Sequence, residues 1–231
     1  MVLPHSGGGP NRYLRLVDGL PQDIEILGLT LPGRERRLAE PVGATLDDVL
    51  ASLATLPRLD VPTVVFGHSL GAVLGLHVAR ALGEHCVGLI ASGQVLREPD
   101  GCSPEDVEDE SILRTLDLGG DLPREVFEDA AWRATLVGNM RADLRLDAEA
   151  SRRGMGVRIE APVTVLCGRE DRLIDVDALG AWGRHSSAPC RVHLFPGGHF
   201  GLFDEANRAL VTGAITEQLA AVPPLAAGRD L

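Results

Sequence analysis

Apolar positions along this 231-residue chain follow two rhythms. Short aliphatic or β-branched runs alternate with stretches in which apolar residues recur every three or four positions. The short runs are Met1–Leu3, Ile24–Leu29, Thr63–Phe66, Gly88–Ser92, Val163–Cys167 and Val192–Phe195, and they read as strands. Helical stripes occupy Thr45–Leu56, Leu70–Leu82, Val176–Gly183 and Asn207–Ala221. In the first of these, Leu46, Val49, Leu50, Leu53 and Leu56 share a face, and Thr45 with Asp48 three residues on makes an N-terminal cap. Strands alternating with helices predict an α/β architecture: a mainly parallel central sheet covered on both faces. The alternation breaks once. From about Ser103 to Arg153 there is only amphipathic helical patterning, with apolar positions such as Ile112, Leu116, Trp132, Leu136 and Met140 set among many charges.

One junction carries chemistry. The run Val64-Val65-Phe66 stops at Gly67-His68-Ser69-Leu70-Gly71, and a helical stripe begins at once. Gly-x-Ser-x-Gly between a buried strand and a helix is the nucleophile elbow of an α/β-hydrolase. The serine must sit on a very sharp turn so that its hydroxyl stands clear of the sheet. Residues two before and two after it then press on neighbouring backbone, and both are glycine. The helix N-terminus behind Ser69 favours negative charge beside it. In such a fold the strand-free stretch, approximately residues 103–153, takes the place of a helical lid inserted in a single domain spanning 1–231. Trp132, Leu136 and Met140 on its apolar face are expected to roof the substrate pocket.

Serine alone is a weak nucleophile. It needs a histidine base, which in turn needs a carboxylate to hold its tautomer. This fold supplies them in the chain order Ser, acid, His, after strands that end on the same side of the sheet. Gly168-Arg169-Glu170-Asp171 follows the Val163–Cys167 strand, so Asp171 is the expected orienter, with Glu170 and Asp175 as alternatives. Pro196-Gly197-Gly198-His199-Phe200 follows the last strand, which makes His199 the expected base. His77, His85, His185 and His193 fall in or beside helices and strands, and His68 is read as filling a structural slot. An oxyanion needs two backbone N–H donors. Leu70, just after the nucleophile, offers one. The loop Pro4-His5-Ser6-Gly7-Gly8-Gly9 offers the other.

Charge and cysteine usage narrow the partners. A formal net charge of −11 argues against nucleic acid and against an anionic membrane surface. The four cysteines (Cys86, Cys102, Cys167 and Cys190) form no CxxC pair, and no His-Glu-x-x-His occurs, so no metal is expected. No signal peptide is read at the start, and no apolar run approaches the ~20 residues of a membrane span. Reduced thiols in a cytoplasm follow as the expectation.

Six segments taken in order resemble the type II thioesterases of polyketide and non-ribosomal peptide synthesis. They are Pro4–Gly8, Leu31-Pro32-Gly33-Arg34-Glu35, Gly67–Ala72, Met140-Arg141-Ala142-Asp143, Gly168–Asp171 and Pro196–Phe200. The resemblance implies a stand-alone hydrolase that removes stalled or misprimed acyl groups from phosphopantetheine arms of acyl- or peptidyl-carrier proteins. It implies Ser69 as nucleophile, His199 as base, Asp171 as orienter and the amides of Ser6 and Leu70 as oxyanion hole. No cofactor is implied beyond the phosphopantetheine that the substrate brings. The family more often has Ala at Ser6, where only the amide is needed. Gly138-Asn139-Met140 ahead of Arg141-Ala142-Asp143 departs from its usual Leu or Pro and bears on the acyl pocket. Leu31–Glu35 is open to two readings, a structural turn beside the site or a binding role. A monomer is expected. Because the chain is itself acidic, docking of an acidic carrier needs a local patch, for which Arg34, Arg36 and Arg37 are candidates, with Arg141 and Arg145 on the lid. Acyl transfer or carboxylester hydrolysis by the same triad is the alternative activity, and a carrier-binding scaffold without chemistry is the non-enzymatic one.

Overall fold

The computed structural model describes residues 1–56, 60–97, 103–119 and 124–220. Cys102, residues 120–123 of the expected lid, and the chain from Ala221 with its Pro223-Pro224 pair lie outside them. Among the described residues five strands form one sheet. They are β1 (Val2–Leu3), β2 (Thr63–His68), β3 (Cys86–Ser92), β4 (Val163–Gly168) and β5 (Cys190–Phe195). They lie in the order β1-β2-β3-β4-β5, and every neighbouring pair is parallel. Side chains alternate along these strands between two cores. Val65, Leu89, Ala91, Val163, Val165 and Cys167 pack on one face, while Val64, Phe66, Ile90, Leu166 and Phe195 pack on the other. Burial on both faces is why the strands read as continuous apolar runs.

The first face is covered by α2 (Leu46–Leu53), α3 (Leu70–Leu82) and the C-terminal half of α6 (Ala130–Gly154), and the second by α1 (Leu14–Val17) and α7 (Arg208–Ala220). The cap expected at α2 is present. Asp48 N–H donates to Thr45 Oγ1 at 3.1 Å, and Thr45 N–H donates to Asp48 Oδ2 at 2.9 Å. Two expected elements differ. Ile24–Leu29 is not a strand. Only Gly28 bridges to Val2, through Val2 N–H to Leu27 O (2.7 Å) and Leu29 N–H to Val2 O (2.9 Å). β1 is two residues long, so there is no ladder for a full strand to extend. The stripe from Val176 is a 3₁₀ helix reaching His185, which buries Leu179 and Trp182.

After a non-helical lead-in over residues 103–108, the strand-free stretch is built of helices in its described residues: α4 (Asp109–Gly119), α5 (Arg124–Glu128) and α6. It divides in its packing. Ile112, Leu113, Val137 and Met140 form a small core of their own above the sheet, whereas Leu146 and Ala150 of α6 join the main core against α3. Among the described residues no helix is long and apolar enough to cross a membrane.

Candidate active site

Strand β2 delivers Ser69 to a sharp turn. Ser69 takes φ 54° and ψ −122°, a region that side chains rarely adopt, and α3 starts at Leu70. Its N–H donates to Ser92 O at 2.8 Å and ties the elbow to β3. The glycine spacing has the expected cause. A Cβ on Gly67 would overlap the carbonyl of Gly71, and one on Gly71 would overlap the carbonyl of Leu3.

Asp171 and His199 meet beside the elbow. His199 Nδ1 lies 2.8 Å from Asp171 Oδ2, and both side chains are buried. Asp171 Oδ1 accepts from Leu173 N–H at 2.9 Å, and the Cys167 thiol lies 3.7 Å from Oδ2 as a third donor. Burial and the Asp171 charge push that thiol up to about 12, so it stays protonated and can donate. The carboxylate is thereby held in one orientation, with an oxygen left for the ring. His199 Nε2 has no hydrogen-bond partner among the described residues and is the nitrogen free for a reacting group. The two alternatives to Asp171 do other work. Glu170 Oε2 accepts from Gly197 N–H at 2.6 Å and holds the histidine loop, while Asp175 Oδ1 accepts from Asp177 N–H at 3.2 Å and caps the 3₁₀ helix. Asn207, which sequence reasoning missed, also clamps that loop, through Nδ2 to Pro196 O (2.9 Å) and Gly201 O (2.8 Å). Asn207 sits at the edge of a helical stripe, and nothing local marks it as a loop anchor.

Two further histidines wall the site. The His68 ring is fully buried, 4.7 Å from the His199 ring, with Nδ1 3.1 Å from Ser92 O. Burial, then the neighbouring His199, lowers its pKa well below the ordinary histidine value. His5 Nδ1 lies 2.8 Å from Tyr13 Oη, and burial, followed by the Arg12 charge, lowers its pKa to about 3. Both rings are neutral at pH 7 and present apolar faces to His199 and Phe200.

The loop carrying Ser6 is braced by a buried ion pair between two segments far apart in sequence. Arg34 Nη1 and Nη2 each donate to Asp143 of α6 at 2.7 Å, and Asp143 Oδ2 also accepts from Gly7 N–H at 2.7 Å. Arg34 Nη1 reaches Gly8 O at 3.3 Å. Gly7 has φ 78°, and a Cβ there would overlap Leu116 of α4. Leu31–Glu35 is therefore a structural brace, and Arg34, 7% exposed, is not available for docking. Arg37 is paired with Glu40, Arg141 with Asp109, and Arg145 with Glu105. Arg36 is the exposed arginine of the expected cluster without a partner among the described residues.

Removing one partner of such a pair strands a buried charge. Asp143→Ala is expected to lower unfolding free energy by about 3–5 kcal/mol in urea titration. Replacing the pair by apolar residues, Arg34→Met with Asp143→Leu, restores much of that stability. It does not restore turnover, because the Gly7 amide still lacks its acceptor. Full recovery of activity in the double variant would refute the brace.

A cavity of about 610 Å³ opens over the elbow, and Ser6, Ser69, Leu70, Met140 and His199 all line it. A smaller hollow of about 350 Å³ adjoins it across the Ser6–Gly8 loop, sharing His5, Ser6, Met140 and Phe200. Of the three lid residues expected in the roof, Met140 is there and the other two are not. Trp132 is 49% exposed, and Leu136 packs at the margin of the α4–α6 core. Seen along α6 alone, all three share an apolar stripe. Met140 reaches the cavity, Leu136 faces the α4–α6 core, and Trp132 at the start of the stripe is exposed.

Known proteins resemble this chain in sequence and fold. A family model described as a thioesterase domain matches residues 1–219. The gramicidin S biosynthesis protein GrsT of Aneurinibacillus migulanus is 27% identical over 211 residues, covering 87% of this chain and 82% of that protein. The thioesterase PikA5 of Streptomyces venezuelae is 28% identical, covering 97% of this chain and 85% of its own length. The solved type II thioesterase BorB, from the borrelidin biosynthetic cluster, superposes with a TM-score of 0.77 at 29% identity, covering 94% of this chain and 91% of that one. The parallel sheet with its elbow serine is thus the α/β-hydrolase fold, and with one family model running through nearly the whole described chain, this protein belongs to the thioesterase domain family.

Proposed function

We propose that this chain is a stand-alone type II thioesterase that hydrolyses acyl groups from the phosphopantetheine arms of acyl- or peptidyl-carrier domains, an editing role in polyketide or non-ribosomal peptide synthesis. The observation that carries the reading is the 2.8 Å contact between His199 and Asp171 over the cavity that Ser69 opens into. Ser69 Oγ attacks the thioester carbonyl while His199 Nε2 takes its proton. The Asp171 carboxylate holds the ring by Nδ1 and stabilises the imidazolium. The amides of Ser6 and Leu70 receive the tetrahedral oxyanion. His199 then returns the proton to the departing pantetheine sulfur, and an activated water repeats the sequence on the acyl-enzyme. No cofactor of the enzyme's own enters these steps.

BorB is by its description a type II thioesterase, and GrsT by its name a gramicidin S biosynthesis protein; both support the carrier-bound substrate. A monomer suffices, since Ser69, Asp171 and His199 all come from one chain. The free thiols of Cys86, Cys167 and Cys190 support a cytoplasmic location. The test compares one acyl group on a carrier protein and as a free oxygen ester. Faster hydrolysis of the carrier thioester is expected. Preference for the ester, or acyl transfer to an added amine or alcohol in place of hydrolysis, would move the enzyme to the esterase or acyltransferase class.

A further inference from the structure

Helix α6 carries three carboxylates, and two are accounted for. Asp143 holds Arg34 and Gly7, and Glu149 holds Arg153 (3.0 Å) and Leu46 N–H (3.2 Å). Asp147 is different. It lines the cavity above Ser69 on the same face of α6 as Met140, Leu144 and Ala148. Its carboxylate has no hydrogen-bond donor among the described residues: Oδ1 is sealed from solvent, and Oδ2 is the oxygen left open toward the cavity. Arg97 on the cavity wall is an opposite charge that acts on it, yet no ion pair joins the two among the described residues. Burial, reinforced by Asp143, raises the Asp147 pKa to about 6. A buried acceptor without a partner is costly, and an apolar side chain would fit this stripe better. At a cavity wall, a donor on a bound ligand can offset that cost.

Its place along the helix bears on what that atom is. Met140 Sδ stands beside Gly7 of the loop that carries the Ser6 amide. Asp147 lies two helical turns further on, about 10 Å at 1.5 Å per residue. A group that reaches it is several bonds from the thioester carbonyl. We propose that Asp147 is a specificity-determining residue that selects acyl chains bearing a hydrogen-bond donor, a hydroxyl or amino group, remote from the thioester. The proposal rests on the reading of this cavity as the acyl site.

The test uses octanoyl, ω-hydroxyoctanoyl, ω-aminooctanoyl and α-hydroxyoctanoyl thioesters on one carrier protein. The parent enzyme should favour the two ω-substituted chains over octanoyl by about 10- to 100-fold in kcat/KM, the range for a buried hydrogen bond to a charged group. The α-hydroxyl should confer no such gain. In Asp147→Leu the ratio should fall to about one. Asp147→Asn, of the same shape, should lose the amino preference more than the hydroxyl preference. Because nothing in the described structure depends on the carboxylate, Asp147→Leu should also melt no lower than the parent; a structural role would instead lower its Tm. Equal kcat/KM for octanoyl and the ω-substituted chains in the parent, or an unaltered ratio in Asp147→Leu, overturns the specificity role and leaves the thioesterase reading standing. Hydrolysis of none of the four overturns both.

Discussion

Ser69→Ala is expected to remove turnover and leave the fold intact. Serine-hydrolase precedent puts the loss of kcat near 10⁶-fold for a nucleophile deletion, with the remainder supplied by binding and oxyanion stabilisation. The elbow itself should survive. Its sharp turn is held by the Ser69 N–H bond to Ser92 and by the close approach of Gly67 and Gly71, all of them backbone features that alanine keeps. The Ser69 hydroxyl makes no hydrogen bond that the fold depends on among the described residues. Circular dichroism and Tm should therefore match the parent while acyl-carrier hydrolysis falls to background. Labelling by a fluorophosphonate probe should vanish in parallel. A purified Ser69→Ala protein that hydrolyses acyl thioesters at the parent rate would remove Ser69 from the mechanism.

Asp171→Asn should cost about 10⁴-fold in kcat. Both oxygens of this carboxylate are in use: Oδ1 accepts from Leu173 N–H and Oδ2 faces His199 Nδ1. An amide cannot fill both places with acceptors. If its oxygen keeps Leu173, its NH₂ group faces the imidazole and favours the tautomer with the proton on Nε2, which cannot accept from serine. The loss belongs to kcat, because Asp171 lies behind the histidine and does not line the cavity. Asp175→Asn should cost little, since its cap to Asp177 can be accepted by an amide oxygen equally well. Glu170→Gln should be intermediate, loosening the Gly197 amide and with it the loop of His199. Steady-state kinetics on the three variants decides the assignment, and an Asp175→Asn loss exceeding that of Asp171→Asn would move the orienter.

Much of this protein is local in origin. The strand-to-helix junction at Ser69, the cap at Thr45, the five strands of the sheet and the loops carrying Asp171 and His199 follow from period, turn residues and chain order. In each, the determining contacts lie within a few residues or along one strand. The brace between Arg34 and Asp143 is different. Its members stand 109 positions apart, and neither segment contains a sign that it buries a charge against the other. Ile24–Leu29 has a strand's composition and lacks a strand's partner, because sheet hydrogen bonds are a property of the neighbour. Trp132, Leu136 and Met140 share one helical stripe, and only the position of α4 determines which of them reaches the cavity. Periodicity specifies which side chains share a face; it carries no information on what that face meets. Asp147 shows the same limit at the site. On the sequence it is one more acid in a charged helix, and only the tertiary structure sets this unpaired carboxylate on the wall of the cavity above Ser69.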